Sequence, residues 1–193
     1  MAAQKWTKGL GGASAAVVAV VLVSVGAQGG PAIGGGSSTK PAATKPAARP
    51  PDQGGLTRVK EVSRRATNCA ANAHGAVKQF FTTKPCVSLR RAVFLLGDGK
   101  GNTVAVSVAW VDTASAGDAS ELRKLADANG TGNVTPLPAA LVGAGSVRFT
   151  GANYESRTAG KLVVIAQAEG LKGRRDRAFL KGAAETAARF PPP

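Results

Sequence analysis

Histidine occurs once in this chain, tyrosine once and cysteine twice. Each scarcity removes a class of chemistry. A nucleophile needs a base within reach, and histidine is the usual one near neutral pH. His74 sits beside Gly75 in a helical pattern and reads as a structural or surface residue, so no catalytic residue is assigned. One histidine and the separated Cys69 and Cys86 do not make the paired spacings of a zinc site, and neither metal nor cofactor is expected. Acids are few, and no pattern marks two of Asp98, Asp112, Asp118, Glu121, Asp127, Glu155 and Glu169 as facing one cleft, as glycoside hydrolysis requires. Aromatics are 5% of the chain and are not interleaved with its basic positions, which disfavours a stacking platform for nucleic acid.

Positive charge is abundant. The formal charge is +14, and from Leu56 onward 20 Lys/Arg face 10 Asp/Glu, an excess of +10 that belongs to the candidate folded part. Such a surface suits anionic cell-wall polymers or lipid head groups, or is simply well solvated.

Residues 10–27 carry no charged side chain and follow Lys5 and Lys8. An apolar run of about 18 to 20 residues is the minimum that crosses a bilayer as a helix, and a basic flank stays on the cytoplasmic side. The segment reads as a signal anchor with residues 1–9 inside and the remainder outside the cell membrane. Its alternative is a signal peptide cleaved near Ala27, after Val25-Gly26-Ala27, which would release the protein as a secreted one. Residues 28–55 are a Gly/Pro/Ala linker in which Thr39-Lys40-Pro41-Ala42-Ala43 nearly repeats as Thr44-Lys45-Pro46-Ala47-Ala48. Nothing in it repays chain ordering, so it is expected to be a disordered stalk. Residues 56–193 then have the size of one domain. Outside the cell Cys69 and Cys86 are free to form a disulfide, closing a loop of about 17 residues; two buried thiols are the alternative.

Apolar positions from Leu56 to Phe81 recur at spacings of three and four, which predicts one long helix ended by Lys84-Pro85. A disulfide would then require residues 82–86 to double back along that helix. Ala92–Leu96 and Asn102–Asp112 read as strands of a hairpin across Gly97-Asp98-Gly99-Lys100-Gly101, which lacks the context of a phosphate loop. Thr113–Asn129 reads as a helix stopped by Gly130, Ser146–Thr150 and Lys161–Ala168 as strands separated by a loop at 151–160, and Arg174–Arg189 as a helix. The expected class is α+β: a four-stranded antiparallel sheet in a permuted ferredoxin-like ββαββα order, preceded by the long helix. The two later helices should cover one sheet face. The long helix should cover the other, or the sheet forms a homodimer there.

Two groups of residues are candidate sites. Arg90, Arg91, Lys172, Arg174, Arg175, Arg177 and Lys181 are candidate anion-binding positions, the last five opposing the dipole at a helix start. Thr131, Asn133, Tyr154 and Arg157 form a candidate loop site, since binding groups are often carried on loops over a rigid sheet. The tether followed by Lys84-Pro85-Cys86-Val87-Ser88-Leu89-Arg90, Val104–Asp112, Gly130-Thr131-Gly132-Asn133 and Tyr154-Glu155-Ser156-Arg157 resembles an uncharacterised family of actinomycete single-pass or secreted proteins, over residues 69–190. The resemblance implies one extracytoplasmic α+β domain and supplies no activity. The expected function is binding of a cell-envelope component or a protein partner without catalysis; the alternative is a small secreted enzyme or inhibitor with its site on residues 130–157.

Overall fold

The computed structural model describes residues 55–193; the expectations for residues 1–9, 10–27 and 28–54 lie outside the described residues. Strands β1 (Thr57–Ala66), β2 (Ser88–Gly97), β3 (Thr103–Asp112), β4 (Tyr154–Ala159) and β5 (Leu162–Lys172) and helices α1 (Gly75–Thr83), α2 (Ala116–Asp127) and α3 (Arg177–Ala188) follow the order β1-α1-β2-β3-α2-β4-β5-α3. They form one five-stranded sheet, β1-β2-β3-β5-β4, in which every pair is antiparallel. The class is α+β.

No long helix runs from Leu56 to Phe81. The segment is an edge strand, a 3-10 turn at Ala70–Asn72 and the short α1. A bulge between Arg58 and Lys60 explains the helical spacing. Ordinarily strand residues alternate faces, so Leu56 and Val62 would share one; the extra residue Val59 sends them to opposite sides. Leu56 packs with the cluster around Phe94, whereas Val62 packs with that around Val93. Asn68 then turns the chain by accepting from the Ala71 amide at 3.0 Å. Nor does the disulfide need residues 82–86 to double back along a helix. β1 and β2 pair as far as Ala66 with Leu89, and three residues after Ala66 and three before Leu89 stand Cys69 and Cys86, bonded with Cα atoms 6.1 Å apart. It closes the base of the loop that holds α1.

Two other expectations are corrected. Ser146–Thr150 is irregular, and β5 takes its outer partner from Tyr154–Ala159, a segment read as loop because it is polar. An edge strand needs only one buried face, and here Ser156 supplies it beside half-buried Tyr154. The sheet therefore has five strands, β1 included, where four were expected. Moreover, the two later helices lie on opposite faces. α3 covers Phe94, Val106, Val108, Trp110, Val164 and Ala166, and its alanines 183, 184, 187 and 188 allow a close approach. Trp110 is fully buried there, its Nε1 donating to the Phe190 carbonyl at 3.1 Å. α1 and α2 cover the other face, over Leu89, Ala109, Val111, Val163 and Ile165. The turn Ala139–Val142 covers the rest of that face, over Val93 and Ala105.

Two helix starts carry caps that were not foreseen: Ser115 caps α2 by accepting from Asp118 N at 3.0 Å, and Asp176 caps α3 by accepting from Phe179 N at 3.0 Å. Gly130 takes positive φ as expected, three residues beyond the end of α2 at Asp127. The 97–101 segment is the expected hairpin turn: Asp98 accepts from the amides of Lys100 and Asn102, and Gly99 and Gly101 take positive φ.

Candidate functional site

One row of residues interrupts the apolar face beneath α1 and α2. Register places Val93, Ser107, Gln167 and Tyr154 side by side across β2, β3, β5 and β4. To one side of that row lies the core of α1 and α2, to the other the core under the 139–142 turn. Ser107 and Gln167 are buried, at 5% and 7% exposure, and neither side chain has a hydrogen-bond partner among the described residues. Neither residue has a fully buried, unpaired polar atom, so the Gln167 amide meets the space above the sheet and does not bear the penalty of a sealed, unsatisfied group.

A cavity of about 390 Å³ opens onto Gln167 and Tyr154. Its walls come from the start of α1 at His74 and Gly75, the end of α2 from Ala126 through Gly130, the Gly132-Asn133 loop, and the segment Phe149 to Gly151. The volume lies at the lower end of the roughly 300–1,000 Å³ typical of small-ligand sites.

Two glycines fix where α1 meets the loop after α2. Gly75 and Gly132 both take positive φ, and a Cβ on either would overlap the other's backbone. This close crossing is sealed by Ala76 N donating to Thr131 O at 2.6 Å and His74 N donating to Asn133 O at 3.0 Å. Since the Cys69–Cys86 bond closes the loop containing α1, the same covalent closure constrains one wall of the cavity.

On the α2 side a polar network is already satisfied. Tyr154 donates to Asp127 Oδ1 at 3.0 Å, Ser156 donates to the same oxygen at 2.6 Å, and Arg123 Nε donates to Ser156 Oγ at 3.0 Å while lying 3.3 Å from Asp127 Oδ2. Burial, and next the Asp127 carboxylate, push the Tyr154 hydroxyl well above the usual phenol range. Tyr154 is therefore a neutral hydrogen-bonding wall at physiological pH, not a nucleophile.

Of the four candidate loop residues, Asn133 and Tyr154 line this cavity. Thr131 instead closes the end of α2, its hydroxyl donating to the carbonyls of Leu125 and Ala128. Arg157 is on the opposite face: Tyr154 and Arg157 are three apart on a strand, and Arg157 donates to the Ala188 carbonyl under α3. Reading the segment as a loop hid that separation. Gln167, Asp127 and the backbone at Gly75 were missed as site residues. Gln167 had one available signal, being the only side chain with a polar group in the run Leu162 to Ala168.

The candidate anion positions do not form one patch. Arg90 and Arg91 are neighbours on β2 and so face opposite ways; Arg90 pairs with Asp112 at 3.0 Å, and Arg91 donates to Thr135 O at 2.9 Å and to Asn72. Burial lowers the Arg91 pKa. Arg174 is paired with Asp176 at 2.9 Å, and Arg175 donates to the Leu171 carbonyl. Lys172, Arg177 and Lys181 are exposed and have no ion pair among the described residues. Asp176 resolves the expected dipole conflict, because the cationic cluster contains its own capping acid.

Among the described residues there is no group of three His, Cys, Asp or Glu placed to hold a metal ion, and no helix long and apolar enough to cross a membrane. No family model, curated protein or solved structure matches the chain.

Proposed function

We propose that residues 56–193 are an extracytoplasmic binding domain, held at the membrane by residues 10–27 through the 28–55 stalk, that captures a component of the cell envelope without catalysing a reaction. The observation that carries this reading is the cavity over Gln167 and Tyr154, whose carboxylate and phenol are already engaged with each other while the Gln167 amide that lines it has no side-chain partner. Chemistry needs an activated group; capture needs only complementary surface. The disulfide supports the location, since such bonds persist in oxidising compartments. Lys172 at the end of β5 and Arg177 and Lys181 in α3, none with an ion pair among the described residues, are the part of the molecule suited to lipid head groups or anionic cell-wall polymer.

The alternative of an enzyme or inhibitor on residues 130–157 drew its appeal from Tyr154 and Arg157 acting together, and those two side chains lie on opposite faces of the sheet. Kinship with the uncharacterised actinomycete family belongs to the same reading. So does a permuted ferredoxin-like relation: the inner order β2-β3-β5-β4 suits it, whereas helices on both faces set this domain apart. A homodimer through the sheet loses its support, because both faces are covered within the chain.

Co-sedimentation of the full chain with insoluble peptidoglycan and with vesicles of anionic phospholipid tests the proposal. Binding to peptidoglycan that survives moderate salt is the expected result. Failure to sediment with either material would overturn it.

A further inference from the structure

We infer that the cavity over Gln167 is a binding site for an uncharged sugar bearing an acetamido group, with the Gln167 carboxamide as the specificity-determining contact. This deepens the envelope-binding reading and rests on it for the source of the sugar.

Charge decides the class first. No lysine or arginine lines the cavity, and its one carboxylate, Asp127, already accepts from Tyr154 and Ser156 and lies beside Arg123. An anionic ligand would find no lysine or arginine, and a cationic one would compete with Arg123 for a carboxylate that is spent. What remains unspent are the Gln167 and Asn129 carboxamides, neither with a side-chain partner among the described residues. Half-buried Phe149 adds an apolar wall. A pyranose presents C–H groups on its faces and hydroxyls at its rim, and an acetamido substituent offers a donor and an acceptor to a carboxamide, which has both.

Burial makes Gln167 the informative residue. At 7% exposure and without an internal hydrogen bond its amide meets the cavity, where a ligand would complete its pairing. A structural role and a binding role then predict opposite outcomes. Gln167→Leu removes an amide that has no partner within the fold at nearly constant volume, and the variant should melt close to the parent temperature. Its affinity for a linear β-1,4-linked N-acetylglucosamine tetramer should fall by about tenfold or more, since a site deprived of its polar contact discriminates at least that strongly.

The test is calorimetric titration of the tetramer into the full chain, its Gln167→Leu and Gln167→Glu variants, and Lys100→Ala in the exposed hairpin turn as a control outside the cavity and the basic positions. Binding by the parent and by Lys100→Ala, weakened in both Gln167 variants, supports the assignment. No heat of binding in the parent, or equal affinity in all four proteins, overturns it. The two readings fail separately: sedimentation with peptidoglycan without any effect of Gln167 removes the pocket and keeps envelope binding, whereas tetramer binding without sedimentation does the reverse.

Discussion

Tyr154 and Gln167 face each other across β4 and β5, yet they were unequally visible beforehand. A lone tyrosine amid glycine and small polar residues draws notice; a glutamine inside an apolar strand is easily taken for a tolerated exception. The importance of Gln167 comes from its lacking a partner, which spacing alone does not reveal. Tyr154 makes a sharp pH prediction. Its phenol is raised first by burial and then by Asp127, and a group whose folded pKa lies above its unfolded value of about 10 stabilises the fold fully below that pH. That contribution is lost as the pH rises through the alkaline range above it. Because the chain has one tyrosine, ultraviolet absorbance of tyrosinate reads the group directly. At about pH 11, where the denatured chain is about nine-tenths ionised, the folded protein should be clearly less ionised. Asp127→Asn should lower the midpoint but leave it above the denatured value, because burial, the larger cause, persists. Ionisation of the native protein near pH 10 would contradict this account. At Gly132, substitution by alanine forces a side chain into the His74 carbonyl at positive φ; a loss of roughly 1–3 kcal/mol in denaturant unfolding is expected.

Among the elements, those with strong local signals were legible and those defined by their neighbours were not. β3, the hairpin turn, α2 and α3 were each marked by alternation, glycine or helical spacing. β1 was not, because an edge strand with a bulge has neither clean alternation nor a continuous apolar face; Val59 is 55% exposed and charged residues fill its flank. Those features also suit β1 to its place, since charge and a bulge discourage another strand from pairing with the open edge. Tyr154–Ala159 was hidden for a related reason, its polar sequence being adequate for the opposite edge. The disulfide is the element-scale device that ties α1 to the sheet. Closing a loop of about 17 residues constrains the unfolded chain by ~3 kcal/mol, and for a domain of this size its loss should lower the melting temperature by about 10 °C. Scanning calorimetry of Cys69→Ser/Cys86→Ser against the parent measures this. An unchanged melting temperature would mean that α1 is held by packing alone.

At the scale of the molecule, the sheet's class and the covering of both its faces were legible, since a strand apolar on both sides, Leu162 to Ala168, must be buried on both. Which helix covers which face was not. That choice follows from the register of β3 and β5, where Val108, Trp110 and Val164 point toward α3 while Ala109, Val111 and Ile165 point toward α2. The arrangement leaves α1, α2 and the 139–142 turn to share one face, and at the row where their two cores part the polar cavity opens. All of this matters for function only if the domain works outside the cytoplasm, where its disulfide forms and an envelope ligand is at hand. Intact mass of the native protein from separated membrane and cytosolic fractions, after alkylation of free thiols, tests that most directly. The account predicts a membrane-bound species that retains its amino terminus and takes up no alkylating agent. A cytosolic species alkylated at both Cys69 and Cys86 would contradict it.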